Sequence, residues 1–164
     1  MSKTEQMLKS FYHSKMMAAF RIQPMGKAIS YLFFLSLITL LPVLLSTMFT
    51  YLFSGEKPSN GVSSGIFIVI FLPFLYFFIA AVLFSVVSIL ASMALLYSRM
   101  RRLRADYKQL WNVTAFSVTA PTIVFVLLES LIYSSTLLIF LYLLTSMAYV
   151  GLVLRHIPIK NRPA

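Results

Sequence analysis

The stretch that decides the fold is "IFIVIFLPFLYFFIAAVLFSVVSILASMALLY", residues Ile66–Tyr97, which contains no charged side chain in 32 positions. As an α-helix it would be about 48 Å long, whereas the hydrocarbon core of a bilayer is about 30 Å thick. An apolar stretch of this length predicts a transmembrane helix that tilts, kinks at Pro73 or projects beyond the bilayer.

Three further apolar spans flank this one, at residues 28–53, 113–129 and 131–154. The span at 113–129 is the weakest, because it is only just long enough to cross and contains Pro121. As one helix, the last two spans would be about 63 Å long. We therefore expect a turn between them, within residues 127–135.

The composition agrees with a membrane protein of several spans. Of the 164 residues, 60% are hydrophobic and only 11% are charged, which is too apolar for a soluble domain of this size. The chain has no cysteine, which excludes disulfides and thiolate metal sites. The predicted fold is an all-α integral membrane bundle of four transmembrane helices. It comprises a leading segment, residues 1–27, and a single transmembrane domain, residues 28–164.

The charges alternate along the chain. Basic residues outnumber acidic ones by four in residues 1–27, by four in residues 98–112 and by three after residue 154. The two intervening loops are neutral or carry Glu129 alone. By the positive-inside rule, the basic segments and both termini are predicted to be cytoplasmic.

The leading segment carries apolar residues at helical spacing: Met7, Leu8, Phe11, Tyr12, Met16 and Phe20. This pattern predicts an amphipathic interfacial helix lying on the inner membrane surface. The apolar run after this segment is far longer than the apolar core of a signal peptide, and no small-residue cleavage site follows it. We therefore expect that the first span is not cleaved.

The densest charge cluster lies between the second and third spans and is our candidate binding site. Its residues are Arg99, Arg101, Arg102, Arg104, Tyr107, Lys108 and Trp111. The basic side chains suit anionic lipid headgroups, and the two aromatic side chains suit the headgroup level. The alternative is that the cluster only sets topology. Nucleic-acid binding is not predicted, because basic loops beside a bilayer are expected and no recognition motif accompanies this one.

Other residues are ambiguous on sequence alone. Pro42, Pro73 and Pro121 are candidate hinges, but static kinks are equally consistent with prolines in membrane helices. Glu129 is a candidate proton relay, but it falls where the chain must turn. A small-residue stripe along the second span predicts close helix packing, either within the chain or with a partner such as a second copy: Ala81, Ser85, Ser88, Ala91 and Ser92.

No enzymatic signature is present. The chain holds four acidic residues, and its two histidines, His13 and His156, are far apart. It contains no phosphate-binding glycine loop, zinc-protease motif or nucleophile elbow. We therefore expect a non-enzymatic protein with no catalytic, cofactor-binding or metal-binding residue.

Two runs resemble a known family. Residues 9–42, "KSFYHSKMMAAFRIQPMGKAISYLFFLSLITLLP", resemble the opening of an uncharacterised Firmicute membrane-protein family, some of whose members are described as maltodextrin-utilisation proteins. The matching residues are Phe11, Tyr12, Ser14, Lys15, Ala18, Arg21, Gly26, Lys27, Tyr31 and Pro42. Residues 107–125, "YKQLWNVTAFSVTAPTIVF", are similar to the family's second half and to the Yip-type membrane fold, through Tyr107, Trp111 and Pro121.

This resemblance implies a location in the bacterial cytoplasmic membrane and a link to carbohydrate uptake. Our leading hypothesis for the function is a non-enzymatic accessory, regulatory or scaffolding protein that binds other membrane proteins or shapes its lipid surroundings. The alternative function is a small oligomeric transporter or channel subunit. Family members carry a sizeable outer region between the first two spans, whereas only the twelve residues "SGEKPSNGVSSG" stand there in this chain.

Overall fold

The computed structural model describes Thr4, Met7 and residues 14–54, 64–131 and 136–158. The regular elements of these residues are all helical. They are α1 (Ser14–Ala19), a 3₁₀ helix (Phe20–Ile22), α2 (Met25–Ser54), α3 (Ser64–Arg101), α4 (Tyr107–Ser117), α5 (Thr119–Leu131) and α6 (Thr136–Leu154). Most of the predicted outer loop, and residues 132–135 of the predicted turn between the last two spans, lie outside the described residues.

Within the described residues, four helical segments are long and apolar enough to cross a membrane, which confirms the predicted fold class. They are Met25–Ser46, Ile70–Arg101, Tyr107–Glu129 and Leu137–Leu154. The third segment is formed by α4 and α5 together. It begins at Tyr107, six residues before the predicted start at residue 113.

The early start of the third segment has a local cause. Asp106 is the N-cap of α4 and forms a reciprocal capping box with Gln109, whose side-chain oxygen accepts the Asp106 backbone N–H at 3.3 Å. Such a box satisfies backbone donors that the first helical turn would otherwise leave free. Residues 107–112, predicted as the end of a loop, are therefore helical.

The junction between α4 and α5 is a local break caused by Pro121. Proline has no N–H to donate to the carbonyl four residues earlier, and its ring clashes with that carbonyl. The carbonyl in question belongs to Ser117, the last residue of α4. Val118 keeps helical torsion angles (φ −72°, ψ −15°), so the chain is interrupted without forming a loop. By contrast, Pro42 and Pro73 lie inside continuous helices, α2 and α3.

Helix α4 is the centre of the bundle. It contacts α1, the 3₁₀ helix, α2, α3, α5 and α6, and every residue from Leu110 to Thr119 is buried. A helix enclosed by protein does not need the hydropathy of one that faces lipid, and polar side chains in membrane proteins face the bundle interior. This position explains why the third span reads as the weakest of the four.

The leading segment packs against protein in its described part, and its position on the inner membrane surface stays a prediction. Met17, Ala18 and Phe20 are buried in the core, and the Phe20 ring lies 4.8 Å from the Phe116 ring of α4. Met7 also packs against this core. An amphipathic pattern shows that a face is buried but not what covers it, and here the bundle covers these side chains. Leu8, Phe11, Tyr12 and the Met16 side chain lie outside the described residues.

Candidate functional site at the basic end of the bundle

One end of the bundle gathers the described basic side chains. The start of α2, the end of α3, the start of α4 and the end of α6 all lie at this end. We call this surface the basic end, and it consists of Arg21, Lys27, Arg99, Arg101, Arg102, Arg104, Lys108 and Arg155. Asp106 is the only described carboxylate among them, whereas Glu129 lies exposed near the opposite end of the third span.

Two hydrogen bonds join the three basic segments at this end. The Arg21 Nη1 donates to the Arg104 carbonyl at 3.3 Å, and the Arg104 backbone N–H donates to the Pro158 carbonyl at 3.0 Å. Ile157, next to Pro158, is buried in the core. The leading segment, the loop after α3 and the tail after α6 therefore form one continuous surface.

The loop after α3 is short and has a defined conformation. It begins with a Schellman motif, in which the Leu103 N–H donates to the Ser98 carbonyl at 2.9 Å and the Arg102 N–H donates to the Arg99 carbonyl at 3.3 Å. Leu103 is partly buried against the core. The motif ends α3, and Arg102 and Arg104, on either side of Leu103, are exposed.

Arg102 occupies the left-handed position of this motif, with φ 54°. Glycine is the usual residue there, because a side chain in this conformation costs about 1–2 kcal/mol. No other described non-glycine residue has a positive φ. The chain thus has an exposed arginine at a position where glycine would make the folded protein more stable.

Six of the seven residues of the predicted site are exposed: Arg99, Arg101, Arg102, Arg104, Tyr107 and Lys108. Arg101 lies 5.9 Å from the centre of the Tyr97 ring, in a cation–π arrangement. Among the residues that the structure describes, none of these basic groups forms an ion pair with a carboxylate. Their charge is therefore available to an external anion.

Trp111 is the exception, and its predicted role at the headgroup level is corrected. Its side chain is 4% exposed, its Nε1 donates to the Ser88 Oγ at 3.3 Å, and its ring lies 5.8 Å from that of Phe84. Because the α4 helix begins at Tyr107, Trp111 lies one turn inside the bundle. It connects α4 to α3 and does not belong to the exposed site.

Sequence reasoning did not identify the buried polar groups around α4. The Asn112 Nδ2 donates to the Gln23 carbonyl at 2.6 Å, and the Tyr31 and Thr119 hydroxyls lie 2.7 Å apart. The Ser117 hydroxyl donates to the Val113 carbonyl at 2.8 Å. The one sequence feature that could have indicated these buried groups was the cluster of polar residues in the span at 113–129. The first bond fastens the leading segment to α4, the second fastens α2 to α5, and the third lies within α4.

The small-residue stripe of α3 does not act as one surface. Ala91 is buried and Ser88 accepts the Trp111 hydrogen bond, so these two residues pack within the chain. Ala81, Ser85 and Ser92 are exposed, and both serine hydroxyls donate to carbonyls of their own helix. In the part of the chain that is described, no group of three or more His, Asp or Glu side chains is placed to hold a metal ion.

Comparison with known proteins gives a family. A family model described as "Protein of unknown function (DUF1189)" matches residues 4–60 and 59–154. The two matched segments overlap at residues 59–60, between the first two spans. Neither the curated proteins nor the solved structures include a match.

Proposed function

The chain belongs to the DUF1189 family of proteins of unknown function, and from that premise we propose that it is a non-enzymatic accessory protein of the bacterial cytoplasmic membrane. Its working surface is the basic end, which binds the headgroups of anionic phospholipids. We further propose that other membrane proteins or a second copy of the chain are its protein partners.

The observation that carries this proposal is the exposed, unpaired charge at the end of α3 and in the loop that follows it. Arg101, Arg102 and Arg104 lie within four residues, and Arg102 keeps its guanidinium at the cost of a left-handed backbone. A basic residue near an anionic membrane surface contributes about 1 kcal/mol of binding free energy. Guanidinium groups also match phosphate oxygens in a bidentate geometry.

The orientation follows from the same charges. The positive-inside rule places the side with excess lysine and arginine in the cytoplasm. The hydrogen bonds from Arg21 to Arg104 and from Arg104 to Pro158 bring the leading segment, the loop and the tail to one end. In the proposed topology, this end and both termini are therefore cytoplasmic. A role in carbohydrate uptake is supported by the family resemblance alone.

The geometry gives less support to the alternative of a small transporter or channel. Such proteins keep polar groups available to a substrate near the middle of the membrane. Around α4, the Tyr31 and Thr119 hydroxyls bond to each other, and the Ser117 hydroxyl bonds to its own helix. This bonding within one chain favours a packing role for these three hydroxyl groups over contact with a substrate.

The test compares two triple variants reconstituted in vesicles of phosphatidylglycerol and phosphatidylcholine. One carries Arg101→Gln, Arg102→Gln and Arg104→Gln, and the matched control carries lysine at the same positions. Native mass spectrometry measures how much of each lipid stays bound. The glutamine variant should lose its preference for phosphatidylglycerol by about tenfold or more, since three charges are removed.

Both variants should insert with wild-type topology, because Arg99, Lys108 and the terminal charges remain. The lysine variant should keep most of the preference for the anionic lipid. A glutamine variant that inserts correctly and still prefers phosphatidylglycerol as strongly as the wild type would show that the basic loop only sets topology.

A further inference from the structure

A groove between α5 and α6 plays no part in the function proposed above. It has a volume of about 260 Å³, below the range of about 300–1,000 Å³ that is usual for small-molecule sites. Its walls include Ala120, Pro121 and Val124 of α5 and Leu138, Leu141 and Tyr149 of α6. The groove begins beside Pro121, where the break after α4 changes the path of the third span. It suits a slim occupant.

The groove presents an apolar surface, because its Tyr142 and Thr145 hydroxyl groups have partners within the chain. The Tyr142 and Thr122 hydroxyls lie 3.1 Å apart, and the Thr145 hydroxyl donates to the Leu141 carbonyl at 2.8 Å. The Phe125 and Tyr142 rings pack against each other in a tilted arrangement, with centres 4.9 Å apart, and form part of the wall. An occupant therefore needs no hydrogen-bonding groups of its own.

The position of the groove indicates where its occupant comes from. Both walls belong to membrane-crossing segments, so the medium outside the groove is lipid hydrocarbon. Along α6, Tyr149 is about 7.5 Å and Leu138 about 24 Å from Leu154, at the basic end. One leaflet contributes about 15 Å of hydrocarbon. The groove therefore begins in the leaflet next to the basic end, and Arg155 directly follows Leu154.

We propose that an acyl chain of an anionic phospholipid from this leaflet occupies the groove, with its headgroup phosphate beside Arg155. This inference rests on the proposed binding of anionic lipids by the basic end and adds a chain-binding site to it. A groove left empty would lose the dispersion contacts of its lining side chains. A single hydrocarbon chain restores those contacts, and the basic end supplies the preference for an anionic headgroup.

The test uses phosphatidylglycerol with a diazirine at the middle of one acyl chain, in vesicles containing the full-length protein. After irradiation, mass spectrometry maps the crosslinked residues. Val124 and Leu141, in the groove, should be labelled severalfold more than Leu127 and Leu144. These two reference residues are exposed on the same helices but lie outside the groove. Phosphatidylcholine with the same labelled chain should give severalfold less labelling in the groove.

A matched pair of variants tests occupancy directly. Val124→Phe fills the groove and should abolish the excess labelling of Leu141, whereas Leu127→Phe, one turn away and facing outward, should leave it unchanged. The proposal is overturned if the groove residues and the reference residues of the wild type are labelled equally. It is also overturned if both lipids label the groove equally, or if a crosslink joins two copies of the chain through the groove. In those cases the glutamine variant of Arg101, Arg102 and Arg104 could still lose phosphatidylglycerol binding, which would support lipid binding by the basic end. The proposed acyl-chain site and the proposed function can therefore fail independently.

Discussion

The Tyr31 hydroxyl of α2 lies 2.7 Å from the Thr119 hydroxyl, at the first residue of α5, and both side chains are fully buried. The Tyr31 ring also packs against the Phe116 ring of α4 in a tilted arrangement, with ring centres 4.5 Å apart. Tyr31 therefore joins the first span to both halves of the third span, next to the break at Val118.

Tyr31→Phe should destabilise the bundle by about 1 kcal/mol, because it removes the hydroxyl and leaves Thr119 without this buried partner. Thermal unfolding in detergent measures the loss as a lower Tm. Tyr107→Phe is the control, since Tyr107 is exposed at the basic end, and it should leave the Tm unchanged. Equal Tm values for Tyr31→Phe and the wild type would show that the bond adds no stability.

Trp111 is the only tryptophan of the chain, so the tryptophan fluorescence of the protein measures the burial of this side chain. Because its side chain is enclosed between α3 and α4, its fluorescence should be blue-shifted and poorly quenched by acrylamide or by lipids brominated near the headgroup. A tryptophan at the headgroup level would respond strongly to those lipids. Strong quenching would place Trp111 at the headgroup level, as expected from the sequence, and would contradict the packing described above.

Arg102→Gly should raise the stability of the protein by about 1 kcal/mol, because glycine adopts the left-handed conformation without steric cost. Chemical or thermal unfolding measures the gain. Arg101→Gly is the matched control, since Arg101 ends α3 with a helical backbone and gains nothing from glycine. The glycine at residue 102 should also weaken phosphatidylglycerol binding. A variant that is more stable and binds the lipid unchanged would show that the Arg102 side chain has no part in binding.

Pro121→Ala should restore a backbone N–H that can donate to the Ser117 carbonyl and should join α4 to α5. Spin labels at residues 108 and 127 measure the result by pulsed electron resonance, as a longer and narrower distance distribution. Pro42→Ala in α2 is the control and should leave that distribution as it is, because α2 is already continuous. An unchanged distance in Pro121→Ala would place the cause of the break elsewhere.

The sequence predicted the four spans and the gathering of the basic residues at one end of them, because both follow from hydropathy and charge along the chain. The helical start at Tyr107 was also present in the sequence as the spacing of Asp106 and Gln109, but the surrounding arginines favoured a loop. Burial of Phe20 could not be predicted, since an apolar face packs against lipid or protein with the same pattern. The joining of Arg21, Arg104 and Pro158 depends on tertiary packing and has no local signal.

Cysteine accessibility tests the central claim, that the basic end faces the cytoplasm, most directly. The chain has no cysteine of its own, so single cysteines at residues 104, 129 and 158 are read without background. In intact cells, a membrane-impermeant maleimide should label residue 129 and leave residues 104 and 158 unlabelled until the membrane is opened. Labelling of residues 104 and 158 from outside would contradict the orientation, and with it the proposed binding of lipids in the cytoplasmic leaflet.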